Sequence, residues 1–349
     1  MKRYYTIIAS FLLSFLAVRA MAQVDDGTFR ALTHTASARD VALGGIMLPM
    51  HDGDLQTVLF NPSAISPDMH NQVALSYVGD FSLGTHYAAA QYSRTFEKLG
   101  SFAVSAQYYN YGTMQYADEG GHTDGTTFTP SDYALTLGWG RELTDKWSIG
   151  ANLKYAGYQH ESGVGGALGV DVAGTYWAYS DWAFTLGLRN FGRQLFNNTD
   201  AKNDWLPFSI DFTSSKKLAH LPLTIIMGYH DIQKWKLVSD EHYLIEKNYD
   251  PITGEYSEPK NTVKFFNNLG AHLVLGGELA IGKNLILRAA YNYDTHLKMD
   301  VPQARTLVGL SAGFGIKIKA FQIDYALTRS NIATWPQFLT LRMDMSKLK

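Results

Sequence analysis

Most of the chain repeats one pattern, in which large apolar residues alternate with small or polar ones over segments of about ten residues. Between Trp147 and Tyr155, one set of alternate positions is Trp, Ile, Ala, Leu, Tyr, and the other is Ser, Gly, Asn, Lys. A period of two indicates a β-strand with one apolar and one polar face, and helical periodicity does not fit. The chain is therefore predicted to be built from strands.

The alternating segments and their connections predict a closed barrel. The segments lie near 71–79, 84–95, 101–111, 131–142, 146–158, 165–178, 182–192, 206–217, 222–234, 264–281, 284–296, 305–318, 321–328 and 336–345. Short connections follow every second segment, and the connections between them are usually longer. Short turns at one end and long loops at the other are typical of bacterial outer-membrane barrels. We predict an all-β fold, a transmembrane antiparallel β-barrel of 14 strands over residues 71–349, with both termini in the periplasm.

Aromatic residues support a membrane-spanning barrel over a soluble one. They cluster near short turns (Trp139, Trp147, Trp182) and where strands enter longer loops (Tyr108, Tyr155, Tyr291). Two aromatic belts are expected at the two membrane interfaces. The alternative is a soluble β-sandwich or lipocalin-like barrel, whose strands also alternate, but an eight-stranded interior would leave most of these segments unused.

The alternation assigns one face to lipid and the other to the lumen. Ile149, Leu153, Leu186, Leu287 and Ile323 are predicted to face lipid. Gly150 and Thr185 lie on the opposite face, where a larger side chain should be tolerated better if it fits. The lumen face also carries charged or titratable residues, namely Lys154, Asp171, Arg189, Asp211, His272, Glu278, Arg288 and Asp324. These residues predict either a structural network of ion pairs or a polar conduction path.

The first 70 residues do not alternate. Residues 1–22 have a basic start, an apolar run and a small-residue cleavage site, which predict a cleaved signal peptide and export. Residues 23–70 carry the pairs Gly44–Gly45 and Asn61–Pro62 among short apolar runs. This segment is either a flexible tail or a plug, and its apolar content favours a folded periplasmic hatch in the barrel mouth.

The composition and motifs exclude several classes of function. A formal charge of −2 gives no basic surface for nucleic acid, and the absence of cysteine excludes disulfides and thiolate sites. Ser214-Ser215-Lys216-Lys217 matches the S-x-x-K motif of penicillin-recognising enzymes, but its S-D-N and K-T-G partners are absent. The histidines form no metal-binding motif. We therefore expect neither enzymatic activity nor a cofactor or metal.

Two motifs in the hatch resemble a known family. Ala36-Ser37-Ala38-Arg39-Asp40-Val41-Ala42-Leu43-Gly44-Gly45, followed by Phe60-Asn61-Pro62-Ser63-Ala64, resembles the start of fourteen-stranded FadL-superfamily barrels. More narrowly, Ser131-Asp132-Tyr133-Ala134-Leu135, Leu206-Pro207-Phe208 and the segment Lys216 to Pro222 are similar to the PorQ family of the type IX secretion system of Bacteroidota. The ending departs from many outer-membrane barrels because it lacks a terminal Phe.

The narrower resemblance implies a non-enzymatic role at the cell surface. PorQ-like barrels belong to an attachment complex with PorV, PorU and PorZ, in which PorU joins cargo to lipopolysaccharide and the barrel holds PorZ. The alternative is a FadL-like transporter of hydrophobic small molecules, which shares the hatch and strand number; a general porin is a weaker option. A transporter requires an apolar path, whereas the predicted lumen carries charges.

The longest connection, Trp235 to Val263, is the candidate docking site for a protein partner. Its predicted anchors are Trp235, Leu237, Tyr243, Tyr249 and Tyr256, which are interleaved with charged residues. Aromatic anchors within a polar rim are typical of protein interfaces. The other interpretation is a solvated loop that folds over the barrel mouth.

Overall fold

The structure is a computed structural model that describes residues 29–80, 84–118, 120–161, 163–179, 181–198, 203, 205–238, 260–299, 307–329 and 334–348. The predicted signal peptide and the candidate anchors Tyr243, Tyr249 and Tyr256 lie outside the described residues.

Fourteen antiparallel strands form a closed barrel, as predicted. They are β1 (Gln72–Asp80), β2 (Thr85–Phe96), β3 (Gly100–Asn110), β4 (Ser131–Thr144), β5 (Trp147–His160), β6 (Gly163–Tyr179), β7 (Trp182–Asn197), β8 (Ser209–Lys217), β9 (Leu223–Tyr229), β10 (Leu273–Ile281), β11 (Leu285–Asn292), β12 (Leu310–Ile318), β13 (Phe321–Thr328) and β14 (Gln337–Asp344). Each strand pairs with its sequence neighbours, and β14 pairs with β1 to close the ring. A separate two-stranded ribbon, Met114–Gln115 with Thr127–Phe128, lies in the β3–β4 connection.

The apolar and polar faces of the strands point outwards and inwards, respectively, as the sequence predicts. Leu153 and Leu186 on the outer face are 51% and 54% exposed, whereas their neighbours Asn152 and Thr185 on the inner face are 1% and 0% exposed. Leu287 and Ile323 are also exposed, and Ile149 is half-buried. An exposed belt of aliphatic side chains around a polar interior is the arrangement that lipid requires.

The hatch occupies the barrel interior. It contains α1 (Arg30–Thr33), α2 (Ala38–Ala42) and three short 3₁₀ helices, at Leu55–Leu59, Pro62–Ala64 and Pro67–Met69. It begins at the end of the barrel that carries the long loops, where the Arg30 N–H donates to Asp132 at the start of β4, and ends beside β1 at the end with the short turns. Most of its side chains are buried.

The barrel wall is much taller on one side than on the other. Strands β4 to β7 contain 14, 14, 17 and 16 residues. Strands β8 to β14 contain only seven to nine residues each. The short turns align the strands at one end, so the difference appears at the long-loop end.

Several predicted strands on the short side were too long, most of all the strand predicted at 264–281. Residues 264–271 of that segment belong to helix α3 (Asn261–Ala271), and β11 is followed directly by helix α4 (Tyr293–Met299). His272, predicted to face the lumen, instead follows the last residue of α3, and its Nδ1 lies 2.7 Å from the His230 carbonyl oxygen. Among the described residues, no helix is long and apolar enough to cross a membrane.

Candidate functional site in the barrel interior

The centre of the hatch is a buried arginine. The Arg39 side chain is 2% exposed, and its guanidinium lies 2.5 Å from Asp52, 2.9 Å from Asp54 and 3.2 Å from Glu278. Asp52 and Asp54 belong to the hatch, whereas Glu278 belongs to β10 in the wall. Arg39 therefore joins the hatch to the barrel, and the sequence analysis did not single it out.

The same ion pairs continue across three wall strands. Arg288 of β11 contacts Glu278 at 2.7 Å and Asp324 of β13 at 2.6 Å. The Gln56 side-chain amide in the hatch donates to Asp324 at 2.6 Å. We call these residues, together with Arg39, Asp52 and Asp54, the Arg39 cluster. Buried charges are stable only when they are paired and hydrogen-bonded. Each charged group of this cluster has an ion-pair partner, whereas Arg39 Nε and Arg288 Nη2 have no hydrogen-bond partner among the described residues.

Burial and neighbouring charges shift the pKa values of the hatch carboxylates. Burial alone would raise the pKa of Asp52, but the Arg39 guanidinium outweighs it and holds that pKa well below its usual range. Arg342 and Arg39 likewise lower the pKa of Asp54 against the effect of its burial. Burial, reinforced by Asp54, raises the pKa of Asp40 well above its usual range. Asp52 and Asp54 are thus anions held by arginines, and Asp40 favours its neutral form.

A second group of charged and polar side chains links strands β5, β6 and β7. Lys154 Nζ lies 2.6 Å from Asp171 Oδ2, and it also donates to Asn190 Oδ1 at 3.1 Å. Asn190 adopts a left-handed conformation (φ 54°) where the β6–β7 register shifts, and its N–H donates to Asp171 at 2.8 Å. The Asn190 amide also donates to the Leu32 carbonyl in the hatch. Asp171 thus satisfies both a buried ammonium and the irregular backbone of a β-bulge.

The remaining predicted lumen charges, Arg189 and Asp211, lie beside the second group. Arg189 Nε contacts Asp211 Oδ2 at 2.6 Å, and the Arg189 guanidinium stacks over the Phe60 ring of the hatch at 4.6 Å from its centroid. The structure thus brings all seven predicted lumen charges into ion pairs: Lys154 with Asp171, Arg189 with Asp211, and Arg288 with both Glu278 and Asp324.

The hatch also rests directly on glycines of the wall. A Cβ atom at Gly150 would lie 2.1 Å from the Pro62 carbonyl oxygen, and one at Gly140 would lie 2.4 Å from the Ile65 carbonyl oxygen. Real Cβ atoms essentially never come so close to backbone atoms. These glycines therefore allow close approach of the hatch backbone. A larger side chain does not fit at Gly150, so the condition on which tolerance was expected at this lumen-facing position is not met.

The predicted hatch motifs each have a local function. Gly44 and Gly45 have φ values of 93° and 73°, which turn the chain after α2. The Asn61 side chain accepts the Ser63 N–H, which caps the 3₁₀ helix that begins at Pro62, and its amide donates to the Leu48 carbonyl at 2.8 Å. Both motifs shape the hatch from within.

A polar cluster closes the long-loop end of the interior. Asp132 Oδ2 accepts the Arg30 N–H at 3.0 Å and the Tyr111 hydroxyl at 2.9 Å, while its Oδ1 lies 3.0 Å from His160 Nε2. Burial, reinforced by Asp132, raises the pKa of the Tyr111 phenol. Asp132 belongs to a motif that carries the family resemblance, but no local sequence pattern predicts its contacts with Arg30, Tyr111 and His160.

The two candidate anchors of the docking loop that the structure describes differ in exposure. Trp235 is 52% exposed, but Leu237 is half-buried and packs against the cluster of Val238, Ala271 and Leu297 beneath α3. Leu237 is therefore a packing residue of the loop in this structure rather than an exposed anchor.

The interior and the lipid-facing belt together define a class of protein. The chain is an outer-membrane-type β-barrel whose lumen is filled by its own N-terminal segment, held by buried ion pairs and hydrogen bonds. No group of three or more His, Asp or Glu side chains among the described residues could hold a metal ion.

Comparisons with known proteins agree on the fold. The toluene transporter TodX of Pseudomonas putida is 11% identical, with a TM-score of 0.50 over 88% of this chain and 96% of that chain. A TodX deltaS2S3 mutant, described as a monoaromatic hydrocarbon channel, is 11% identical, with a TM-score of 0.51 over 84% and 95%. A Pseudomonas aeruginosa FadL homologue is 10% identical, with a TM-score of 0.49 over 89% and 98%. No family model and no curated protein matches the sequence. The chain thus shares the barrel fold of TodX.

Proposed function

We propose that this chain is a sealed outer-membrane barrel that works through its extracellular surface. In this role it holds a PorZ-like surface protein within a type IX secretion attachment complex that also contains PorU and PorV and acts on lipopolysaccharide. The barrel is non-enzymatic and supplies a membrane-embedded platform. The sequence resemblance described above suggests this partner class.

The observation that carries the proposal is the chemistry of the interior. Arg39, Lys154, Arg189 and Arg288 are all paired with carboxylates inside the barrel, and the hatch backbone rests directly on wall glycines. A path for hydrophobic molecules requires apolar walls. A charged, occupied lumen instead suits a barrel whose useful surface lies outside it.

Shortening the loop after β9 should release the partner. Replacing residues 239–259 with a tight Gly/Ser turn leaves Trp235 and α3 in place and removes Tyr243, Tyr249 and Tyr256. If these rings anchor the partner, the PorZ-like protein should move from the cell surface to the medium, because anchor residues carry most of the binding energy of an interface. Immunoblots of cells and medium measure the shift, and heat-modifiability reports whether the barrel is folded.

A matched variant separates the rings from the length of the loop. Exchanging Tyr243, Tyr249 and Tyr256 for Phe keeps the rings and should retain the partner, whereas exchange for Ser should release it. Full retention by the shortened loop in a folded barrel would exclude this loop as the docking site.

Transport of hydrophobic small molecules is the second candidate. The fold shared with TodX, a toluene transporter, supports it, and the comparisons favour it more directly than the attachment role. Under this hypothesis, proteoliposomes containing the wild-type chain should accumulate a monoaromatic hydrocarbon such as toluene faster than empty vesicles. Equal uptake by the two preparations would exclude it, and a barrel carrying a disrupted hatch provides the positive control.

A further inference from the structure

Helix α3 presents its apolar side chains outwards. Val263, Phe265 and Phe266 are 46%, 48% and 60% exposed. Asn268, three residues after Phe265, is buried against the segment that precedes the helix, and its side-chain oxygen accepts the Leu237 and Val238 N–H groups at 2.9 and 3.1 Å. A helix on the surface of a water-soluble domain has the reverse arrangement, with its polar side outwards. The exposed face of α3 is therefore built for an apolar environment.

This face is continuous with the part of the barrel that contacts lipid. Tyr229 lies on the outer face of β9 at its upper end, and its ring stacks on His272 with 4.8 Å between centroids. The series continues from His272 to Trp235 at 6.2 Å, then to Phe265 at 5.5 Å, and from Phe265 to Phe266 at 5.5 Å. An unbroken row of rings thus connects the lipid-facing wall to α3.

The heights of the adjoining strands place α3 near the membrane surface. A tilted transmembrane strand needs about 9–11 residues to cross the hydrocarbon core. Strands β9 and β10, which flank the segment containing α3, have seven and nine residues. The wall therefore ends near the upper boundary of the hydrocarbon on this side. Helix α3 ends at Ala271, immediately before β10. The end of the helix therefore lies at the height of this upper boundary.

The charges next to the apolar face suit anionic headgroups. Lys236 and Lys260 are both exposed and neighbour Trp235 and the start of α3. Aromatic and aliphatic residues with flanking lysines are typical of helices that lie in a membrane interface. We propose that α3 and Trp235 are embedded in the outer leaflet, with Val263, Phe265 and Phe266 among the acyl chains of lipopolysaccharide and the lysines near its phosphates. This contact goes beyond the attachment role and requires no protein partner.

Spin labelling tests the depth of α3 directly. The chain has no cysteine, so a single nitroxide can be placed at Phe266→Cys without removing native thiols. Reference labels are Leu153→Cys, in the mid-strand lipid belt, and His122→Cys, whose parent side chain is 86% exposed in the β3–β4 loop. The proteins are folded into vesicles with lipopolysaccharide in the outer leaflet, and collisions with oxygen and with a water-soluble nickel chelate give the depth of each label.

We expect the label at 266 to lie about 5–10 Å below the headgroup level, between the two references. Nickel accessibility equal to that at His122 would overturn the proposal. If the label at 266 is accessible to nickel in the vesicles and becomes inaccessible only when a surface protein is added, the apolar face of α3 binds that protein and not lipid. Heat-modifiability confirms that each labelled barrel is folded. Because no protein partner is present in the vesicles, failure here is distinct from failure of the attachment role.

Discussion

Replacing Arg39 with Met should weaken the attachment of the hatch to the barrel wall and increase the ion conductance of the barrel. The substitution preserves much of the side-chain length but leaves Asp52 without its close cation and removes one cation from Asp54 and Glu278. Removing one partner of a buried ion pair typically costs about 3–5 kcal/mol, because the remaining charge stays desolvated. This cost applies to Asp54, which is 3% exposed, rather than to Asp52, which is 44% exposed. Planar-bilayer recordings should show larger and more frequent ion conductance than in the wild-type chain.

Two further variants define the cause of the change. Arg39→Lys keeps a positive charge and should conduct less than Arg39→Met, although a lysine cannot reproduce the forked contacts of arginine. Lys347→Met removes a cation that is 59% exposed near the short-turn end and should leave the barrel closed. If Arg39→Met in a folded barrel stays as closed as the wild type, the Arg39 cluster does not hold the hatch.

Arginine in place of Leu153 should strongly impair insertion and folding. Leu153 pairs laterally with Leu137 and Val170, and all three side chains are exposed on the outer face near mid-strand. Arginine at the bilayer midplane of a barrel costs about 2–4 kcal/mol. The folded fraction in lipid vesicles, measured by heat-modifiability against urea concentration, should therefore decrease markedly.

Leu143→Arg provides the matched control for depth. Leu143 is 54% exposed on the same face of β4, beside the short turn before Trp147. Near the interface the cost of an arginine should fall to about 0–1 kcal/mol. Equal losses at Leu143 and Leu153 would show that this face does not span a bilayer.

The sequence predicted the wall well because the wall depends on a local rule. In a barrel, each residue faces either lipid or lumen, so the alternation seen around Leu153 reports its environment without knowledge of any partner strand. The lumen charges followed from the same rule. Which of them pair depends on the register of strands, and the alternation does not specify that register.

The hatch and helix α3 were less predictable than the wall. The position of the hatch depends on contacts between residues that are distant in sequence. Nothing in the local sequence distinguishes Arg39 from the other arginines. Its role depends on its contact with Glu278 of β10, which is distant in sequence. From the sequence, Gly150 is only a small residue on the lumen face. The sequence does not reveal that the Pro62 carbonyl lies where a Cβ atom of residue 150 would be. Helix α3 was missed because its apolar residues run almost directly into β10, so residues 264–281 were interpreted as one long strand.

The pairing of β1 with β14 has a consequence for how the protein matures. These strands are furthest apart in sequence, and β1 directly continues the hatch. Forming this seam is a long-range pairing, which is intrinsically slow. When it forms, it also encloses the hatch, so assembly and sealing are completed in one step. A hatch that had not folded by then would have to enter the barrel after the ring had closed, so we expect the hatch to fold before β1 pairs with β14.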